Sequence, residues 1–165
     1  MKKQGFTLIE LMVVIVIMGI LAAVAVPKLF GMIAKSKASE VGPAAGEYIK
    51  LQDAYISETG INIGDWKAIG YNMANSSNFT YEDKVTSYAN HSVALATGTT
   101  NSWTATNLAA LNDCPASSVW GISVSQNGST GGSALYDAKI TSSKKTDCEM
   151  LAPSFVKLDT KDQAL

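Results

Sequence analysis

The N-terminal part of the chain is dominated by an apolar stretch from Phe6 to Val26, in which Glu10 is the only charged residue. A helix of this length extends about 30 Å, which matches the hydrocarbon thickness of a bilayer. Lys2 and Lys3 precede the stretch, and only sparsely charged sequence follows it. The pattern therefore predicts a membrane-crossing helix with a cytoplasmic N-terminus, because positive charge stays inside.

Beyond Pro27 the pattern becomes that of an amphipathic helix that continues the first one. Its apolar positions recur at a spacing of three or four and comprise Val41, Ala44, Ala45, Tyr48, Leu51 and Tyr55. We expect Gly42 and Pro43 to bend this helix and Gly60 to end it. The sequence thus predicts one long, curved helix, whose second half, residues 27–60, packs on a head formed by residues 61–165.

The head begins with a segment that has no clear periodicity and ends with one that does. Residues 61–118 are rich in Asn, Ser, Thr and Ala, and we interpret them as an irregular connector with short elements. From Val119 onward, apolar and polar residues alternate in two runs, separated by the turn sequence QNGSTGGS, and a third run covers residues 154–158. This pattern predicts an α+β fold, with a small antiparallel sheet of three or four strands against the long helix.

Charge and composition exclude several function classes. The formal net charge is −1, and all 13 basic residues are Lys. We therefore expect no nucleic-acid partner, because the chain lacks a basic stripe and the arginines that read guanine. A single histidine, His91, and two distant cysteines give no catalytic constellation and no metal-binding spacing. We predict that the protein is not an enzyme and needs no metal and no cofactor.

The two cysteines, Cys114 and Cys148, lie too far apart for a zinc knuckle or a redox CxxC motif. We therefore interpret them as a disulfide formed in an oxidising compartment. Five acidic residues of the C-terminal third lack the alternating spacing of a calcium loop, so we expect them on the solvated surface. They are Asp137, Asp147, Glu149, Asp159 and Asp162.

Glu10 decides between two interpretations of the apolar stretch. Lys2, Lys3, an apolar core and the sequence Ala23-Val24-Ala25 also fit a secretory signal peptide, which would leave a soluble domain that starts at Val26. A carboxylate has no compensation inside a disposable signal, whereas charged residues retained in membrane helices usually have a partner. Glu10 therefore favours a helix that is kept.

The sequence Gly5-Phe6-Thr7-Leu8-Ile9-Glu10-Leu11, behind a short lysine-bearing leader, resembles the start of type IV pilins and of the related type II secretion pseudopilins. The resemblance extends to about Pro27. It implies that a prepilin peptidase removes residues 1–5 after Gly5 and methylates the new amino group of Phe6. It also implies that residues 6–26 then hold the subunit in the membrane until it enters a filament.

The resemblance further implies roles in assembly for Phe6, Thr7, Glu10, Gly19 and Pro27. Glu10 would neutralise the Phe6 amine of a neighbouring subunit and so set the axial register of the helices. Pro27 should kink the helix, which can then unwind toward Gly19 when subunits pack. Gly19 and Ala23 could equally form a small-residue packing face, and the two interpretations are compatible.

The function that these residues imply is that of a type IV pilin, most like a major subunit, with the pilin fold. It would be a single-pass inner-membrane precursor, attended by the pilus assembly machinery, and then part of an extracellular homopolymeric filament. One alternative is a pseudopilin of a secretion system. The other is a secreted or tethered carbohydrate-binding domain that would use exposed Trp66, Trp103 and Trp120, although we expect these tryptophans to be buried.

Overall fold

A computed structural model describes residues 5–85, 88–128 and 132–161 of the chain. Within these residues the helices are α1 (Leu8–Ala38), α2 (Val41–Thr59), α3 (Lys145–Leu151) and α4 (Pro153–Val156). The strands are β1 (Asn62–Gly64), β2 (Phe79–Glu82), β3 (Ser92–Ala94), β4 (Thr99–Asn107), β5 (Val119–Gln126) and β6 (Ala134–Thr141). This order of elements, with a long N-terminal helix on an antiparallel sheet, confirms the predicted α+β class.

Helices α1 and α2 are separated only at Ser39 and Glu40, and both of these residues keep right-handed helical backbone angles. Pro43 explains the break, because it cannot donate a hydrogen bond to the Ser39 carbonyl and its ring crowds that carbonyl. We expected the bend at Gly42 and Pro43 themselves, but both residues lie inside α2. The proline therefore interrupts the helix one turn before its own position.

Helix α2 ends as predicted, at Gly60, which takes a left-handed conformation with φ 74° and donates its N–H to the Ile56 carbonyl. Its buried face is rotated slightly from the predicted one. Leu51 and Tyr55 are only half-buried, whereas Gln52 and Ile56 are fully buried. A polar side chain at the centre of the helix was not expected there.

Gln52 is buried because the backbone of Gly64 in β1 satisfies its amide. The Gly64 N–H donates to Gln52 Oε1 over 3.2 Å, and Gln52 Nε2 donates to the Gly64 carbonyl over 2.5 Å. Nearby, Tyr48 donates its hydroxyl proton to Ser102 Oγ in β4 over 2.9 Å. These bonds fix the rotation of α2 against the sheet, since a buried polar group without a partner is costly.

The main sheet has the order β2-β4-β5-β6, and every neighbouring pair is antiparallel. Strands β5 and β6 correspond to the first two predicted runs. Strand β4, the neighbour of β5, lies in the segment that we expected to be an irregular connector, and this prediction was wrong. Its sequence, TTNSWTATN, contains few apolar residues, but its threonines favour the extended conformation.

The inner face of this sheet carries an aromatic core that packs against the helices. Trp103 stacks on Phe155 of α4 at a centroid distance of 6.3 Å, and its indole N–H donates to Tyr71 Oη over 2.9 Å. The Tyr71 hydroxyl in turn donates to the Ala44 carbonyl of α2 over 3.1 Å. Burial raises the pKa of Tyr71 to about 12, so the phenol keeps the proton that it donates.

The third predicted strand, residues 154–158, is instead occupied mainly by α4, so that prediction was wrong. Pro153 at the first position of α4 favours a helical start, and Phe155 must turn inward onto Trp103. The chain then runs beside β6, where the N–H groups of Thr160 and Lys161 donate to the Tyr136 carbonyl. This segment covers the free edge of the sheet.

The predicted disulfide is present and joins Cys114 to Cys148, with the two Cα atoms 4.9 Å apart. It connects the turn before β5 to helix α3 and so encloses the β5–β6 hairpin. The bridge spans a sequence separation of 34 residues. By the chain-entropy estimate, a loop of this length stabilises the fold by about 3.8 kcal/mol.

Candidate assembly helix

Helix α1 begins with a reciprocal cap formed by Thr7 and Glu10. The Glu10 N–H donates to Thr7 Oγ1 over 3.3 Å, and Glu10 Oε2 accepts from the Thr7 N–H over 2.8 Å and from the Thr7 hydroxyl over 2.6 Å. These bonds satisfy two backbone donors that a helix start otherwise leaves unpaired. In the uncleaved chain Glu10 thus already has a partner within its own helix.

The sequence contained a signal for this cap that we did not use. A Thr followed three residues later by Glu, directly before an apolar run, is the sequence pattern of a capping box. We had expected Glu10 to interact with the Phe6 amine and did not consider a bond to Thr7. The cap gives Thr7 a defined structural role in the single chain, where it occupies Glu10 Oε2.

The apolar part of α1 makes almost no contact with the rest of the protein. From Phe6 to Ile33, every large hydrophobic side chain is exposed, with fractional exposures between 42% and 78%. The first buried residue of α1 is Ala34. The helix that contains α1 is long and apolar enough to cross a membrane. Exposed apolar surface of this extent requires an apolar environment or a partner.

Gly19 and Pro27 both lie within the continuous helix. The predicted unwinding between them is thus not seen in the single chain, and its occurrence in a filament stays a prediction. A Cβ atom at Gly5 or at Gly19 would meet nothing within 4 Å. Contacts within the chain therefore do not require glycine at either position.

Gly5 and Phe6 lie just before the helix cap, and both are exposed. A peptide bond at this position is open to an external protease, which is compatible with the predicted cleavage site. The rest of the predicted leader, residues 1–4, and Asp162 lie outside the described residues.

Comparison with known proteins shows what this helix is similar to. Residues 1–26 match the model of the prokaryotic N-terminal methylation motif. The N-terminal part of this chain is also similar to curated fimbrial proteins and type IV major pilins. No solved structure matches this chain significantly.

Several curated proteins extend the similarity of this chain beyond the motif. It is 40% identical to the fimbrial protein EcpC of Eikenella corrodens over 104 residues, which cover 63% of this chain and 62% of EcpC. It is 44% identical to the type IV major pilin protein PilA of Myxococcus xanthus over 57 residues, 34% of this chain and 26% of PilA.

A third relative, the type IV major fimbrial protein FimA of Dichelobacter nodosus, is 51% identical over 45 residues, 27% of this chain and 29% of FimA. The aligned part of this chain therefore spans less than two thirds of each of these three relatives. All three are fimbrial proteins or type IV major pilins by name.

The three tryptophans of this chain do not form an exposed surface. Trp103 and Trp120 are fully buried, and Trp66 is half-buried against the core, as we predicted. A polysaccharide site made of exposed tryptophans is thus not present. Among the described residues, no group of three His, Cys, Asp or Glu side chains could hold a metal ion. The expected lack of enzymatic activity stays a prediction.

One acidic residue differs from its predicted environment. Asp137 was expected on the solvated surface, but it is only 8% exposed and lies on the outer face of the main sheet. Its Oδ2 atom lies 2.6 Å from Lys139 Nζ, and the residue pairs in register with Ser123 of β5, a strand neighbour that the sequence alone did not place beside it.

Proposed function

We propose that this protein is a type IV pilin, the structural subunit of a type IV pilus-like surface filament, which it forms by packing its apolar N-terminal helix against those of other copies. The observation that carries the proposal is the capped helix whose large apolar side chains are all exposed as far as Ile33. Lipid covers this surface in the precursor, and neighbouring helices cover it in the filament. Exchange of one apolar environment for the other avoids contact with water.

The precursor is an inner-membrane protein with a single membrane-spanning segment and a cytoplasmic N-terminus. A prepilin peptidase cuts the bond after Gly5 and methylates the amine of Phe6. We infer that the pilus assembly machinery then moves the subunit out of the membrane. Exposure of Gly5 and Phe6 ahead of the helix cap supports this order, because the peptidase must reach an extended segment.

Glu10 sets the register of the subunits in the filament. Its Oε2 is held by Thr7, so the Oε1 atom is the one that can accept a hydrogen bond from the methylated amine of an adjacent Phe6. A charged pair in an apolar surrounding contributes little net stability, but it discriminates strongly against positions in which one charge lacks its partner. The cap prepares this contact, since it fixes the direction of the carboxylate before assembly.

The proposal is tested with three variants of the full-length chain expressed in its host. We expect Glu10→Ala and Glu10→Gln to abolish or strongly reduce filaments, as counted by electron microscopy of sheared cell surfaces, with normal amounts of subunit in the membrane. Gln retains an oxygen that can accept from Thr7 but lacks the charge. The matched control is Glu58→Ala, which removes an exposed carboxylate from α2, and we expect it to assemble normally.

Normal filaments from Glu10→Gln would show that capping is sufficient and would contradict the charge-based register. Intact mass and N-terminal sequencing of the mature chain test the processing step separately. We expect a chain that begins with N-methylated Phe6. A mature chain that begins at Val26 would contradict the retained helix and with it the proposed function.

A further inference from the structure

Two charged residues bracket the uncharged part of helix α1. No charged residue lies between Glu10 and Lys28, and at the helical rise the two are about 27 Å apart. The hydrocarbon layer of a bilayer is about 30 Å thick, so each charge can lie at one of its boundaries, where an ionised group costs least. A span from Phe6 to Val26 would instead place Glu10 about 6 Å inside the hydrocarbon.

The apolar surface of α1 continues beyond Lys28. Leu29, Phe30, Met32 and Ile33 are each exposed by half or more. Along the helix axis, Phe30 lies about 3 Å and Ile33 about 8 Å beyond Lys28. The headgroup layer on each side of the hydrocarbon is about 5–8 Å thick. With Lys28 at the outer boundary, these apolar side chains lie at the depth of the lipid headgroups.

The head reaches down to the same level of the helix. A groove of about 200 Å³ lies between α1 and the turn that precedes β5. Contact between α1 and the head begins here, since Ala34 is the first buried residue of α1. We call this feature the basal groove, and its lining includes Phe30, Ile33 and Lys37 of α1 and Ala110, Leu111 and Asn112 of the turn.

The turn that forms one wall of the basal groove is held in place. Leu111 and Cys114 exchange two backbone hydrogen bonds of 2.8 and 3.0 Å, and the disulfide joins Cys114 to Cys148 of α3. Between them, Asn112 takes a left-handed conformation with φ 52°. The groove is therefore formed before it meets a partner.

The charges around the basal groove indicate which partner it fits. The charged residues of α1 after Glu10 are all exposed lysines, namely Lys28, Lys35 and Lys37. Helix side chains lean toward the N-terminus, so these ammonium groups lean toward the membrane. The acid of the turn, Asp113, accepts a hydrogen bond from Asn112 Nδ2 over 2.7 Å. An apolar surface with a rim of lysines matches lipid, whose phosphates lie next to an apolar layer.

We propose that in the precursor the basal groove lies in the lipid headgroup layer on the outer side of the membrane, with Lys28 and Lys35 against lipid phosphates. Helix α1 then crosses the hydrocarbon between Glu10 and Lys28. The inference rests on the membrane-inserted precursor of the proposed function, and it adds a lipid-contacting surface on the head itself. The head is thereby held at one height above the membrane before the subunit enters a filament.

The contact is tested by fluorescence quenching on the full-length chain. The chain is inserted into vesicles of phosphatidylethanolamine and phosphatidylglycerol that contain a lipid with a nitroxide on its headgroup, which quenches indoles at short range. Ala110→Trp places an indole at the basal groove. The matched control, Ile61→Trp, places one at an exposed position just beyond the C-terminal end of α2. After subtraction of the signal of the unmodified chain, we expect several-fold stronger quenching of Ala110→Trp. Equal quenching of the two variants would overturn the proposal.

The lysine contacts are tested in the same vesicles. Lys28→Gln and Lys35→Gln, combined in the Ala110→Trp chain, should reduce the quenching about two-fold or more, because each lysine near an anionic surface strengthens the attraction. Lys67→Gln, which removes an exposed lysine outside the groove, is the control and should leave the quenching unchanged. Undiminished quenching after loss of both α1 lysines would contradict the phosphate contacts.

Flotation of the vesicles on a density gradient separates this inference from the proposed function. A chain that does not float with the vesicles would contradict the membrane-inserted precursor and with it the proposed function. A chain that floats but shows no selective quenching of Ala110→Trp would contradict only the position of the head. Thermal unfolding shows whether Ala110→Trp has folded. Phe30→Trp, an exchange of one exposed aromatic side chain for another on α1, reports on the same layer if it has not.

Discussion

The two halves of the long helix differ in an unexpected direction: the more apolar half is exposed, and the less apolar half is buried. From Leu8 to Ile33 the helix is almost entirely apolar, yet its large side chains are exposed. Helix α2 is less apolar and has charged residues such as Glu47 and Lys50, yet seven of its residues are buried against the head. In a single soluble chain, the more apolar half would be the buried one.

The difference indicates that the apolar half does not contribute to the folded core of its own chain. In the proposed function its surface packs first against lipid and then against copies of the same helix, whereas α2 packs on one sheet through specific contacts. Tyr136 of β6, for example, donates its hydroxyl proton to Asp53 Oδ1 in α2 over 2.6 Å. Substitutions in the two halves should therefore affect different properties.

The largest expected effect on folding comes from Trp103→Ala. Trp103 is fully buried between Tyr81, Phe155 and the Tyr71 hydroxyl, and truncation of a buried aromatic side chain costs about 3–5 kcal/mol. Amide hydrogen exchange of the sheet in micelles measures this loss. The contrasting variant Val14→Ala lies on the exposed half and should change the stability of the head by less than about 0.5 kcal/mol. Equal losses from both variants would contradict the comparison.

A smaller loss of stability is expected from Gly42→Ala, because α2 approaches α4 closely at this position. A Cβ at Gly42 would lie 2.8 Å from Ser154 Cβ, and overpacking of this kind costs about 1–3 kcal/mol. Gly46→Ala is the control in the same helix, since its Cβ would lie 3.9 Å from Leu158 Cδ2. It should stabilise the helix by up to about 1 kcal/mol.

Adding Ser154→Gly to Gly42→Ala removes the atoms that clash and should restore most of the stability, as measured by denaturant unfolding of the double variant. If the double variant remains as unstable as Gly42→Ala, the close approach of the two helices is not the cause.

The smallest loss of stability is expected from His91→Ala, on the exposed surface of the head. His91 Nδ1 contacts Asp65 Oδ2 there at 2.5 Å. Burial alone raises the pKa of Asp65, but the hydrogen bonds from His91 and the Ala68 N–H outweigh it and lower the pKa. Because the pKa of Asp65 is lower in the folded chain than the unfolded value of about 4, the ionised carboxylate stabilises the fold above that pH. This stabilisation is lost as the pH falls through the pKa of the folded chain. His91→Ala should therefore cost less than about 1 kcal/mol at neutral pH.

The cost of His91→Ala in free energy of unfolding should decrease as the pH falls through the folded pKa of Asp65, because the protonated carboxyl loses its charge-assisted hydrogen bond, and urea unfolding at several pH values measures this cost. A cost that does not change with pH would mean that His91 acts through packing instead.

Much of the fold could be predicted because its signals are local. The apolar run, the end of α2 at Gly60, the strands β5 and β6 and the buried tryptophans follow from periodicity and residue type along short segments. Strand β4 could not be predicted in this way, because its inward positions include Ala105 and its outward positions are polar. Its sequence supports a strand only once β5 and β2 lie beside it.

The candidate sites likewise contain features that could be predicted from the sequence and features that could not. The sequence by itself determined the helix that is apolar throughout, the capping pattern of Thr7 and Glu10, and the presence of two cysteines that could pair. Only the tertiary structure decided that Gln52 is buried, that residues 153–156 are helical, and that Asp137 is buried. The physical reason is that helix caps and apolar spans depend on neighbours in sequence, whereas burial of a polar atom depends on donors and acceptors supplied by distant strands.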